Sequence, residues 1–217
     1  MKKLALNMLA IIALLIVSSC NDKAKEADTK EAEDAAVAEA TAVSYTVVPA
    51  ESTIMWKGFK PTGSHNGTIS VSNGTMSVAD GTIESGNFTI DMASIQVKDI
   101  PKEEEAHGKL TGHLTSDDFF AVETYPTSKF VVTGMQIKDG KAMLSGNLTL
   151  KDATNNVTIP VSMSSQGDTM TLKSETFTID RSKWNVKYGS KSFFDNLGDS
   201  FINDDIELQI NVKAKKA

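Results

Sequence analysis

The sequence predicts an all-β protein, an antiparallel barrel of about eight strands carrying one short helical insertion. Three observations lead there. From Tyr45 onward apolar and polar residues alternate with a period of two, as strands with one buried face require. Turn dipeptides such as Asp80-Gly81 and Asp139-Gly140 recur at short intervals and suit tight hairpins. Only the stretch between Pro101 and Tyr125 breaks the alternation.

The residues ahead of the barrel divide in two. Lys2 and Lys3 precede a run from Leu4 to Val17 in which Asn7 alone is polar, too short to span a bilayer but suited to the apolar region of an export signal. Val17-Ser18-Ser19-Cys20 follows at once and resembles a bacterial lipobox. The mature chain is therefore expected to start at Cys20, with that thiol as its lipid anchor. Each buried methylene of an acyl chain contributes about 0.8 kcal/mol, so two or three chains would give durable attachment. The expected location is the bacterial cell envelope. Asn21 after Cys20 is compatible with outer-membrane sorting, the domain facing the periplasm.

Cys20 is also the only cysteine, which excludes an intramolecular disulfide. The full chain has a formal charge of −6. Loss of Lys2 and Lys3 leaves 20 basic against 28 acidic residues, a net −8, so no basic face is available for nucleic acid. Residues 21–44 contain eight alanines, seven acidic residues and no aromatic residue, leucine or isoleucine. Such a composition offers little apolar surface to offset ordering entropy, and residues 20–44 are expected to be a flexible, disordered tether.

Strands are expected over 45–60, 64–72, 74–80, 83–95, 128–137, 141–151, 155–165, 169–181 and 203–213, some of them continuous. Phe88, Ile90 and Met92 share one face, as do Leu144, Gly146, Leu148 and Leu150. Val157, Ile159, Val161 and Met163 form another apolar row, and Ile206, Leu208, Ile210 and Val212 a fourth. Asn73-Gly74 and Gln166-Gly167-Asp168 add turn signals. Between Pro101 and Tyr125, Glu103 to Glu105 precede Leu110 and Leu114, with Ser116 as a capping candidate before Asp117-Asp118-Phe119-Phe120. One or two short helices are expected there, closing one end. A barrel of this size is either filled by side chains or holds one small ligand, and alternation alone leaves both open.

Several elements carry a resemblance. Asp91-Met92-Ala93-Ser94-Ile95, His113-Leu114-Thr115-Ser116-Asp117-Asp118-Phe119-Phe120, Tyr125-Pro126 with Phe130, Gly146-Asn147-Leu148-Thr149-Leu150, Pro160-Val161, and Arg181 with Trp184 resemble, in order and spacing, the YceI-like family over residues 45–213. Asp152 and Asn185 depart from it, standing where glycine is usual. The resemblance implies an extended lipocalin-like barrel that binds a polyisoprenoid or other long-chain lipid inside. The partners it implies are a polyisoprenoid or fatty-acyl ligand and, through Cys20, a membrane.

The candidates for an apolar ligand wall are Ile54, Trp56, Gly86, Phe88, Ile90, Leu144, Gly146, Leu148 and Ile159 on the strands, with Phe119, Phe120 and Phe130 from the family elements. By parity Gly86 and Gly146 point inward, either to leave volume for a chain or to let the wall bend. His113 and Arg181 are head-group candidates. His113 has the alternative of orienting the helical insertion, and Arg181 that of an ion pair with a nearby carboxylate.

No cofactor, metal site or catalytic residue is expected. His65, His107 and His113 are scattered, a spacing of six does not put His107 and His113 on one helical face, and Glu103 to Glu105 read as a solvated face. No Gly-x-Ser-x-Gly elbow occurs. A non-enzymatic lipid binder for sequestration or transport is the leading expectation, and a structural or interaction lipoprotein with a filled barrel the alternative.

Overall fold

A computed structural model describes residues 24–217; the expected signal peptide and Cys20 lie outside them. The strands β1 (Lys25–Glu26), β2 (Asp28–Glu31), β3 (Val43–Val47), β4 (Thr53–Lys60), β5 (Gly63–Ala79) and β6 (Thr82–Val97) precede the helix α1 (Glu105–Thr115). After it come β7 (Thr127–Lys138), β8 (Lys141–Leu150), β9 (Ala153–Gln166), β10 (Thr169–Ser174), β11 (Phe177–Asp180) and β12 (Asp205–Lys216). Strands β4 to β10 pair in sequence order, and β12 pairs antiparallel with both β4 and β10. An eight-stranded ring results.

The alternation translates into burial as expected. Phe88, Ile90 and Met92 on β6, Leu144 and Leu150 on β8, and Val157, Ile159 and Val161 on β9 are buried; Ile206, Leu208 and Ile210 on β12 pack against the core. Hairpins form at Asp80-Gly81 and Asp139-Gly140, where both residues take positive φ, the geometry that matches strand twist. Asn185, one of the two departures from the family pattern, sits in the left-handed region at φ 58°, which asparagine tolerates better than most residues.

Three local expectations are corrected. Asn73-Gly74 is no turn: β5 runs through it, with a register shift between Val71 and Asn73. A Cβ at Gly74 would lie 2.6 Å from Asn87 O and 3.0 Å from Val47 Cγ2, so the glycine permits close packing rather than reversal. Ser116 ends α1 instead of starting a helix; its N–H donates to Gly112 O (3.0 Å) and its Oγ accepts from the Asp118 N–H (3.3 Å). The expected strand 45–60 is split by a 3₁₀ turn at Pro49–Glu51. Both β3 and β4 pair with β5 and with β12, so they occupy successive stretches of one wall position.

The largest correction concerns residues 25–42, expected to be a free tether. Along the lower barrel β10 joins β9 to β12 directly. Higher up, β11 remains paired to β12 but not to β9, which would leave two sheet edges facing each other. The N-terminal segment fills that seam: β1 pairs parallel with β11 and β2 antiparallel with β9. Ala27 between them donates its N–H to Thr178 O at 2.9 Å and buries its methyl in the core. Unpaired edges are unfavourable, and a small side chain is what a narrow seam admits.

The segment then crosses the outside of β8, β7 and β6. Glu33 donates its N–H to Asn147 Oδ1 (3.0 Å), Asn147 Nδ2 donates to Glu33 O (2.6 Å), and the Ala36 N–H donates to Val132 O (2.9 Å) beside the bulge in β7. Asn156 is fully buried, though it alternates with the inward Val157; its Nδ2 donates to Thr133 Oγ1 (2.8 Å) and Asn147 Oδ1 (3.0 Å). A chain starting at residue 43 is therefore expected to lose about 2 kcal/mol or more of unfolding free energy, and Ala27→Asp a comparable amount. Equal denaturation midpoints for the two chain lengths would contradict the docked segment.

Candidate functional site

An apolar cavity of about 140 Å³ lies in the upper barrel. Its walls come from β4 (Ile54, Trp56), β6 (Ile90, Met92, Ile95), β8 (Leu148, Leu150) and β12 (Ile206, Leu208). Leu114 of α1 with Phe119 and Phe120 closes it on one side, and Ile202 and Asn203 of the loop 185–204 close it on another. A second cavity of about 40 Å³ lies deeper, lined by Phe88, Phe130, Leu144 and Ile159 among others, and Ile54 and Ile90 line both. The two are successive levels of one apolar interior.

Of the expected wall residues, Ile54, Trp56, Ile90, Phe119, Phe120 and Leu148 line the upper cavity, and Ile54, Phe88, Ile90, Phe130, Leu144 and Ile159 the lower. Gly86 and Gly146 line neither. A Cβ on Gly146 would fall 2.3 Å from Phe130 Cζ: the Phe130 ring already occupies the space over the glycine. A Cβ on Gly86 would meet Thr75 O at 3.0 Å and Val132 Cγ2 at 3.3 Å. Both glycines serve close packing and are corrected from cavity-makers to contact points. The Phe130 ring, 6.4 Å from that of Phe88, contributes to the lower level only.

Two polar side chains at the cavity, Ser128 and Arg181, are turned toward backbone, whereas Trp56 Nε1 is buried without a hydrogen-bond partner. Ser128 Oγ donates to Thr149 O at 2.6 Å. Arg181, 1% exposed, donates from Nε to Asn203 O (3.2 Å), from Nη1 to Val186 O (2.7 Å) and from Nη2 to Ile202 O (3.1 Å). Its Nη2 also stands 3.3 Å from Asp204 Oδ1, a Coulombic contact rather than an aligned hydrogen bond, since that oxygen has no hydrogen-bond donor. Burial lowers the guanidinium's pKa, while Asp204 and Asp180 oppose the shift. Three of its five N–H donors go to backbone carbonyls and the Nη2 end faces Asp204, so the guanidinium does not present a free fork to a diphosphate. Its surroundings match the ion-pair alternative.

His113 lies outside the cavity. Its Nδ1 is 2.7 Å from Asp118 Oδ2 and its ring is 5.5 Å from that of Tyr188, which also packs on Phe119 at 5.6 Å. It thus ties α1 to the Phe119 turn and the loop, the orienting role weighed above. Asp99 pins the same end of the barrel. Burial raises its carboxyl pKa, but hydrogen bonds from the Asn66 N–H and from His65 outweigh burial and hold it below its ordinary value.

Met92, Ile95, Leu150, Ile206 and Leu208 also line the upper cavity, though they were not singled out as ligand candidates; several of them stand on the apolar strand faces. Ile202 and Asn203 lie in a loop without periodicity and gave no such signal.

Comparison with known proteins now bears on this geometry. Residues 45–214 match the model of the YceI-like domain. The chain belongs to the YceI-like family. A UPF0312 protein of Pseudomonas aeruginosa is 39% identical over 62 residues, 29% of this chain and 32% of that protein; the match thus spans about a third of the curated relative's length. Among solved structures, BcnA of Burkholderia cenocepacia is 22% identical with a TM-score of 0.57, over 78% of this chain and 99% of that one. A polyisoprenoid binding domain from Saccharophagus degradans, implicated in plant cell wall breakdown, is 12% identical with a TM-score of 0.56, over 81% and 99%. At these identities they show a shared fold.

In this YceI-like domain the cavity's side wall depends on Arg181. Arg181→Lys keeps the charge but cannot serve three carbonyls and Asp204 together. It should cost about 3 kcal/mol, one or two charged hydrogen bonds, with limited proteolysis cutting first within 185–204. An unchanged melting temperature and digestion pattern would remove the clamp from the account.

Proposed function

We propose that this protein is an envelope lipoprotein that holds one long apolar chain, polyisoprenoid or fatty-acyl, within its barrel and sequesters or transports it. The observation that carries the reading is the two-level interior, lined almost wholly by aliphatic and aromatic side chains. An apolar cavity of about 140 Å³ stays dry and takes an apolar guest the size of a short chain segment, and a longer chain requires the side chains between the two levels to move. The structurally similar domain from Saccharophagus degradans, described as polyisoprenoid binding, supports the same ligand class. We read the site as a container and the activity as binding.

The membrane half of the reading rests on the sequence. Cys20→Ser is expected to abolish incorporation of labelled fatty acid into the protein. Labelling of the variant equal to that of the wild type would contradict a lipid anchor.

The binding half is tested by organic extraction of the purified protein and mass spectrometry of the extract, with an expected ratio near one lipid per chain. Ile69 lines the upper cavity alone, and Ile69→Trp places a larger ring in that space. It should lower the extractable lipid several-fold while the protein still unfolds cooperatively. An empty wild-type barrel, or a variant that keeps its full complement, would favour the filled-barrel alternative.

A further inference from the structure

One polar hydrogen in the barrel interior is left over. Four of the residues lining the upper cavity carry polar side-chain atoms: Trp56, Ser128, Arg181 and Asn203. Ser128 Oγ and the Arg181 guanidinium donate to backbone carbonyls, and Asn203 is tied to β4 by its main chain, its N–H donating to Phe59 O at 2.9 Å. Trp56 Nε1 is buried and has no hydrogen-bond partner among the described residues.

Burying an N–H unpaired is costly, and a buried indole ordinarily finds an acceptor. A phenylalanine would fill the same stretch of wall without that cost. The ring is also closely seated. Trp56 pairs with Gly67 across β4 and β5, and a Cβ on Gly67 would fall 2.6 Å from Trp56 Cζ2 and 2.8 Å from Cε2. The bare glycine thus receives the edge of the indole next to Nε1. Gln96 O crowds the same glycine but does not accept from Nε1.

Room for an acceptor lies along the same strand. Gly58, Trp56 and Ile54 follow one another on the inward face of β4, and all three line the upper cavity. A Cβ on Gly58 would meet no atom within 4 Å, so the position one pleat above the indole is open, whereas Ile54 below it lines the lower level as well. A guest lying along this face has its hydrogen-bonding end at Trp56 and its tail toward Ile54. The donors decide what that end is. A carboxylate or phosphate needs compensation that a single N–H does not provide, and the guanidinium is engaged with carbonyls and Asp204. A hydroxyl would bring a hydrogen of its own to be paired. A ketone, aldehyde or ester carbonyl asks only for a donor.

We propose that Trp56 is the specificity-determining donor of this cavity: its indole N–H binds the carbonyl oxygen of a neutral, otherwise apolar chain and sets the chain's direction, carbonyl end in the upper level and tail toward the lower. This assignment rests on the chain-binding reading and adds to it the chemistry of the bound end.

The test uses the delipidated chain from residue 21 onward, which contains every described residue, and three probes of similar length: undecan-2-one, 2-methylundecane, in which a methyl replaces the oxygen, and undecanoate. The chain has two tryptophans, and Trp184 Nε1 already donates to Leu148 O at 2.8 Å, so its indole N–H resonance is an internal reference. Undecan-2-one should move the Trp56 indole proton downfield and leave that of Trp184 in place; the hydrocarbon and the carboxylate should give no such downfield shift. Trp56→Phe, which assigns the resonance, should weaken undecan-2-one about tenfold and 2-methylundecane less than about twofold, read from the isoleucine methyl resonances of the cavity wall. Equal losses for both probes, or an indole proton that the ketone does not shift, would overturn the proposal, while hydrocarbon binding would still sustain the chain-binding reading. An undecanoate response matching the ketone's would overturn the neutral end. A protein that binds none of the probes would overturn both readings.

Discussion

A buried guanidinium organises the upper half of this barrel. Arg181 stands at the end of β11, where the chain leaves the sheet and must return twenty-four residues later as β12. Instead of a hairpin it makes an excursion, and the excursion's two ends are drawn together by one side chain that donates to Val186, Ile202 and Asn203 and faces Asp204. In a site with little water these charge-assisted contacts are strong, and losing one partner would strand buried polar groups. The arrangement puts Ile202 and Asn203 into the cavity wall and stacks Phe119 beneath the guanidinium at 5.5 Å. Without that clamp the upper cavity would have no second side.

The seam between β9 and β11 is the other constraint at this level. A barrel whose strands number eight below must accommodate β11 after it parts from β9, and residues 25–31 supply the missing pairing from the start of the chain. The segment expected to be a flexible tether is instead partly built into the barrel wall. Its ion pair from Glu26 to Lys183 joins seam and clamp.

Much of this was legible beforehand. Parity alone identified the inward rows of β6, β8, β9 and β12, since a half-buried strand has no other way to distribute apolar side chains. Asp80-Gly81 and Asp139-Gly140 announced their hairpins because few other pairs take positive φ twice in succession. Parity gives direction and not what lies opposite, however: Gly146 does face inward, but the register sets Phe130 one strand away with its ring over the glycine. Ala27 and Ala36 dock chiefly through main-chain hydrogen bonds, which composition does not encode, so an alanine-rich acidic stretch read as coil. The loop contributed Ile202 and Asn203 through Arg181's reach, a relation between residues twenty-one and twenty-two apart that no local pattern displays.

The account depends on the interior being an occupied space rather than a packing defect. The most direct measurement is a high-resolution crystal structure of the protein purified from its native cells without delipidation. Continuous elongated density running from the upper cavity past Ile54 and Ile90, with the Phe130 ring displaced or abutting its end, is the predicted result. Side chains closed over both cavities, with no density between them, would contradict the central claim.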